Sequence, residues 1–192
     1  MTAPGAGAAS LRVRGFAGRL RAGSYNRALL RAAQELAPDG MRIDIFDLAE
    51  IPLYNGDVEA QGDPAPVAAF KAAIVAADAL FIACPEYNHG VPGVLNNAID
   101  WASRPPRGSP LNGKRAGVIG ASPGMTGSAR GQSQLRQAFG FTNTYAMLQP
   151  EVLVGRAHEK FDAQGRLTDE ITRKFLGDYL ATLLGWLRSF AG

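Results

Sequence analysis

The 192-residue chain has one cysteine, two histidines, few aromatics and no long apolar run. Cys84 alone forms no internal disulfide and builds no cysteine-based zinc site. His89 and His158 are too few for a histidine-rich metal centre. No stretch approaches the ~18 consecutive apolar residues of a membrane span. The opening MTAPGAGAAS lacks the basic segment and apolar run of a secretory signal. Aromatics make up 8% and are not interleaved with basic residues, so no nucleic-acid partner is expected. What is present is an ordinary globular share of hydrophobic residues, 46%, which excludes disordered and fibrous classes. The expectation is a soluble, cytoplasmic protein with a flexible tail over residues 1–10 and one domain over 11–192.

Charge is segregated along the chain. Residues 1–34 hold six arginines (Arg12, Arg14, Arg19, Arg21, Arg27, Arg31) and no acid, and residues 35–100 hold eleven acids against Arg42 and Lys71. Residues 101–150 are purely basic again. A compact fold can interleave such blocks and cancel them, or the basic blocks can face an anionic partner. Gly-rich loops sit inside both basic blocks, which favours a small phosphorylated ligand.

Strands and helices alternate. Leu11–Phe16 reads as a strand and Asn26–Leu36 as a helix ended by Pro38-Asp39-Gly40; Met41–Phe46 alternates as a second strand. A long connection, 47–63, precedes a helix from Pro64 to Ala77, with proline in its first turn. Ala79–Cys84 has the continuous apolar character of a strand covered on both faces. Gly93–Trp101 reads as a helix, Arg115–Gly120 as a strand, the stretch to Phe139 as a helix, Glu151–Val154 as a strand and Thr168–Phe190 as an amphipathic helix. Five strands alternating with helices predict an α/β fold with a mostly parallel, doubly wound sheet. Ligands of such sheets sit beyond the carboxyl ends of the strands, at the loops 17–25, 85–92 and 121–129.

In the first loop, Gly18-Arg19-Leu20-Arg21-Ala22-Gly23-Ser24-Tyr25-Asn26, a helix begins, and free N–H groups with the positive dipole end favour an anion. Arg21 can fork onto phosphate oxygens, and Ser24 and Asn26 can donate; either of the latter can instead simply cap the helix. The loop has neither the lysine of a nucleotide triphosphatase nor the dinucleotide pattern GxGxxG, so a monophosphate suits it. The second loop, Pro85-Glu86-Tyr87-Asn88-His89-Gly90-Val91-Pro92, offers Tyr87 and Asn88 as a flat surface with polar edges for a planar ring. His89 reads as a loop residue and Trp101 as core. Cys84 is not a phosphatase nucleophile, because the arginine required six residues on is Gly90. The third loop carries Ser122, Gly124 and Gly127, small residues that let backbone amides approach a ligand.

The segments L-R-A-G-S-Y-N (20–26), P-E-Y-N (85–88) and P-G-V-L-N-N-A-I-D-W (92–101) resemble the NAD(P)H-dependent FMN reductases, a family that includes quinone, azo and chromate reductases. The resemblance implies a flavodoxin-like fold: a doubly wound, five-stranded parallel sheet with helices on both faces. It implies that Arg21, Ser24 and Asn26 hold the FMN phosphate, that Pro85, Glu86, Tyr87 and Asn88 flank the isoalloxazine, and that Ser122, Gly124 and Gly127 lie near its pyrimidine side; Gly18 and Arg19 of the first loop are further candidate cofactor-binding residues. It further implies NADPH or NADH as reductant, small-molecule electron acceptors, and a homodimer or homotetramer. Hydride would pass to flavin N5 with no catalytic side chain. The rivals are a non-enzymatic FMN electron carrier, a type that tends to be acidic, whereas this chain is net +3, and a regulatory protein of the same fold with a weakened flavin site. Three positions depart from the family pattern. Arg19 replaces a serine in G-S-x-R, and Asn96 replaces a lysine. Arg14 interrupts an apolar first strand, and its charge requires an acidic partner, for which Asp44 is the candidate, or access to solvent.

Overall fold

Why the strand pattern alternates as it does is visible in the computed structural model, which describes residues 9–190. All of the expected tail except Ala9 and Ser10 lies outside them. The elements are β1 (Leu11–Ala17), α1 (Tyr25–Glu35), β2 (Met41–Ile45), α2 (Gly56–Glu59), α3 (Ala65–Val75), β3 (Ala79–Ala83), α4 (Gly93–Ala102), β4 (Arg115–Ala121), α5 (Ala129–Thr142), β5 (Tyr145–Ala146), β6 (Val152–Val154) and α6 (Glu170–Arg188). Every strand pair is parallel, in the order β2-β1-β3-β4, and both β5 and β6 lie on the outer edge of β4. This is the 2-1-3-4-5 order of flavodoxin-like sheets.

The central strand β3 is buried throughout, and its side chains divide by period two between two cores. Ala79, Phe81 and Ala83 face the layer of α1 and α6. Leu80 and Ile82 face α3, α4 and α5 through Phe70, Ile74, Leu95, Ile99, Leu135 and Phe139. Helix α6 buries Leu176, Tyr179, Leu180, Leu183, Leu184 and Leu187, the spacing of a single apolar stripe. Among the described residues no helix is long and apolar enough to cross a membrane.

Two expectations need correction. The expected fifth strand is present as β6 beside the end of β4, and a further two-residue strand, β5, runs beside its start, giving six strands. Pro150, which has no N–H to give to the ladder, stands in the gap. Arg14 does lie opposite Asp44 in register, but the ion pair does not form. The Asp44 carboxylate binds Arg42 Nε at 2.9 Å, its neighbour on the same face of the same strand, and Arg14 donates only to the Asp44 carbonyl at 3.4 Å. Arg14 is half-buried, and its Nε is enclosed with no hydrogen-bond partner among the described residues.

At the end of β4, Gly120 lets three segments meet. A Cβ there would run into Ser128 Oγ and stand 2.6 Å from the Cys84 carbonyl oxygen. Backbone cannot yield as a flexible side chain does. Gly120→Ala is therefore expected to lose about 1–3 kcal/mol or more, read as a lower urea midpoint; an unchanged midpoint would show that the strand ends move apart freely.

Candidate active site

The first loop begins on a packing constraint. Gly18 N–H donates to the Ala83 carbonyl at 3.0 Å, and a Cβ on Gly18 would stand 2.8 Å from Leu95 Cβ and 2.9 Å from Pro85 Cδ. Only glycine brings the loop this close to the second loop and to α4. From there the N–H groups of Arg19 to Gly23 have no partner among the described residues. Ser24 caps α1, its Oγ accepting from Arg27 N–H at 3.3 Å; the hydroxyl can still donate in the other direction. Arg21 is exposed and donates from Nη2 to the Gly23 carbonyl at 3.0 Å, so its guanidinium folds across its own loop.

Asn26 sits differently from what the family resemblance implied. It is buried, its Oδ1 accepting from Ala121 N–H at 3.0 Å and its Nδ2 donating to the Ala121 carbonyl at 2.8 Å. Its amide joins α1 to the end of β4 and is not open to the loop. The Arg19 guanidinium lies 5.0 Å from the centre of the Tyr87 ring. That is cation–π distance.

In the second loop, Tyr87 and Gly90 exchange backbone hydrogen bonds of 3.0 and 2.9 Å, with Asn88 at φ 51° and His89 at φ 64° between them. Two consecutive positive φ values make a type I′ turn, which holds the half-exposed Tyr87 ring and the Asn88 amide at the loop tip. Glu86 points the other way. Its carboxylate accepts from Arg130 N–H at 2.9 Å, Gly131 N–H at 3.3 Å and Arg130 Nη1 at 3.1 Å, and so caps α5. Pro85 is buried, and a Cβ on Gly131 would stand 2.6 Å from its carbonyl oxygen. In the third loop Ser122 Oγ accepts from Gly124 N–H at 3.1 Å, and Ser122 N–H donates to Val154 at 2.9 Å. Gly127 is buried at φ +58°, where a Cβ would meet the Leu153 backbone. It packs on β6, while Ser122, Gly124 and the exposed Met125 stand at the loop surface.

The sequence reading did not find Arg130, Gln134 and Ala121 as partners of these loops. Gln134 Oε1 accepts from Val91 N–H and pins the far end of the second loop. These ties span 43 to 95 residues, and the only local signal was a helix opening right after a Gly-rich turn. Burial pushes the Cys84 thiol up to about 12, which makes it inert. Among the described residues no cluster of His, Cys, Asp and Glu could hold a metal ion. The three loops meet at the carboxyl end of one sheet with unpaired N–H donors and a flat ring. This donor set fits a ligand with a phosphate at one end and a planar ring with polar edges at the other, as FMN has.

Burial pushes the Glu86 carboxyl up, but hydrogen bonds from the Arg130 side chain and the Gly131 and Arg130 N–H groups outweigh it and hold its pKa below the ordinary 4.5. A depressed carboxylate stabilises the fold above its unfolded pKa and ceases to do so as pH falls through the folded value. Glu86→Gln is expected to lower stability near neutral pH by about 1.5–3 kcal/mol. The variant should also lack part of the wild type's fall in urea midpoint below pH 4.5. Parallel acid profiles would show that Glu86 does not hold α5.

The family model for NADPH-dependent FMN reductase matches residues 11–159. The chain is 48% identical over 182 residues to the NAD(P)H-dependent FMN reductase PA1204 of Pseudomonas aeruginosa, covering 95% of this chain and 98% of that protein. It is 38% identical over 179 residues to a 2-hydroxy-1,4-benzoquinone reductase of a Burkholderia species, covering 93% and 97%. Among solved structures it resembles FerB, a flavoenzyme NAD(P)H:(acceptor) oxidoreductase of Paracoccus denitrificans, with a TM-score of 0.85, 36% identity, and coverage of 93% of this chain and 98% of that one. With the 2-1-3-4-5 sheet and the three loops at its carboxyl end, these likenesses make the chain a member of the NADPH-dependent FMN reductase family, an oxidoreductase of flavodoxin-like fold.

Proposed function

We propose that the protein carries FMN and uses NAD(P)H to reduce quinones. The observation that carries this reading is the row of unpaired backbone donors from Arg19 to Gly23, placed beside Arg21 and the start of α1 and opposite the Tyr87 ring. The chemistry FMN supplies when bound is two-electron transfer, hydride in from NAD(P)H and electrons out to the acceptor.

The residues would divide the work as follows. Gly18 and Arg19 through their backbone, with Arg21 and Ser24 through their side chains, would bind the phosphate. Pro85, Tyr87 and Asn88 would orient the ring system, and Ser122 and Gly124 would offer donors at its pyrimidine edge. Asn26, Glu86 and Gly127 would act one step back, fixing where the three loops stand. In this reading no side chain need move a proton. Azo compounds, chromate and free flavin extend the acceptor class. One domain over residues 11–192, a homodimer or homotetramer, no nucleic-acid partner and a cytoplasmic location complete the reading.

Titration with FMN, followed by steady-state oxidation of NADPH and NADH with a benzoquinone, tests it. One face used in turn by reductant and acceptor gives parallel double-reciprocal lines. FMN binding without turnover would instead identify an electron carrier, and intersecting lines with a ternary complex would exclude the shared face. Arg21→Ala is expected to weaken FMN about 10- to 150-fold, the loss of one charge-assisted contact. Riboflavin, which has no phosphate, should lose far less; equal losses would make Arg21 structural.

A further inference from the structure

Most of the basic block at the start of the chain is not used by the flavin site proposed above. Arg27 and Arg31, with the side chain of Arg19, line a cavity of about 280 Å³ on the α1 side of the sheet, at the carboxyl ends of β1 and β2. Its floor is apolar, formed by Leu30, Ile45 and Phe46, and its one acid is Asp47. Asp47 is already engaged by Arg27 Nη2 at 2.9 Å, while Arg27 Nη1 donates to the Leu20 carbonyl at 3.1 Å. Three guanidinia against one carboxylate leave two net positive charges. Arg31 is exposed and has no carboxylate partner among the described residues. It also borders a neighbouring cavity that holds Asp162, a carboxylate that disfavours an anion there.

Arg19 connects this cavity to the flavin site, because it lines the cavity and overlies Tyr87. We propose that the cavity is the subsite for the 2′-phosphoadenosine end of NADPH, with Arg31 and Arg19 facing the 2′-phosphate and the apolar floor under the adenosine. This rests on the flavin reductase reading. A phosphate monoester carries roughly −1.5 to −2 charges near neutral pH, which matches the cavity. A 2′-hydroxyl gains nothing from the two arginines, so the geometry selects NADPH over NADH. The FMN phosphate has its own donors one loop away, at the N–H groups of Arg19 to Gly23.

The test titrates FMN-loaded protein with adenosine 2′,5′-bisphosphate, 5′-AMP and inorganic phosphate by calorimetry. The bisphosphate is expected to bind about tenfold or more tighter than 5′-AMP, the difference one charged contact makes. Arg31→Ala should remove most of that preference, and Arg31→Lys should keep part of it. In turnover, Arg31→Ala should raise KM for NADPH far more than KM for NADH, with kcat for NADPH largely retained. Equal affinity for bisphosphate and 5′-AMP, or a preference that survives Arg31→Ala, would overturn the assignment. Inorganic phosphate binding as tightly as the bisphosphate would also overturn it, since the adenosine floor would then play no part. Full FMN uptake without any 2′-phosphate preference sinks this subsite alone; no FMN uptake by the wild type sinks it together with the flavin reading.

Discussion

The amide of Asn26, hydrogen-bonded to both the N–H and the carbonyl of Ala121, holds the beginning of α1 against the end of β4 in a buried setting. The rest of the site is arranged from that contact. The first loop leads into α1, and the third loop leaves from β4, so the distance between them is set by two hydrogen bonds. Removing the amide would leave two buried peptide groups without partners, each at a cost of about 1–3 kcal/mol. The second loop is fixed to the same frame by Glu86, which caps α5, and by Gly18, whose missing Cβ lets β1 continue against Pro85 and Leu95. Rigid strand ends and glycine-limited approaches thus present loops whose own N–H groups stay unpaired.

Charge follows a similar logic. The segregated blocks cancel in part: Arg27 reaches Asp47 and Arg130 reaches Glu86, while Arg42 and Asp44 pair within one block. Exposed pairs such as Arg27–Asp47 and Arg42–Asp44 contribute little to stability, whereas the Glu86 carboxylate is largely buried where it meets Arg130; all three remove charge selectively. Arg19, Arg21 and Arg31 remain unmatched by carboxylates, and all three belong to the first loop or to α1. Cancellation between the blocks is therefore real and incomplete. Neutralisation occurs across the sheet edges, and positive potential survives beside the first loop.

Much of the architecture was legible because it is written in local periods. The apolar run of β3 announces a strand covered on two faces, and the leucine spacing of α6 announces one buried stripe. The two-residue β5 and the four-residue α2 are too short to leave a periodic trace. Arg14 beside Asp44 was correct as a register and wrong as an ion pair, because Arg42 competes for the same carboxylate from two residues away.

What the sequence determined by itself was the doubly wound α/β class and the three strand-end loops, since Gly, Pro and Asn at fixed spacing impose turn geometry locally, while the family entered through the resemblance of three motifs. What only the tertiary structure decided was where each loop side chain points. Asn26 and Glu86 look like ligand groups in the sequence and become struts in the fold, because their partners lie 95 and 44 residues away. The Arg19 guanidinium comes to lie on Tyr87, and Arg31, in the sequence only one arginine of the basic block, comes to line a basic cavity. Such outcomes depend on competition among partners that meet only when the sheet closes, and no local spacing records that competition.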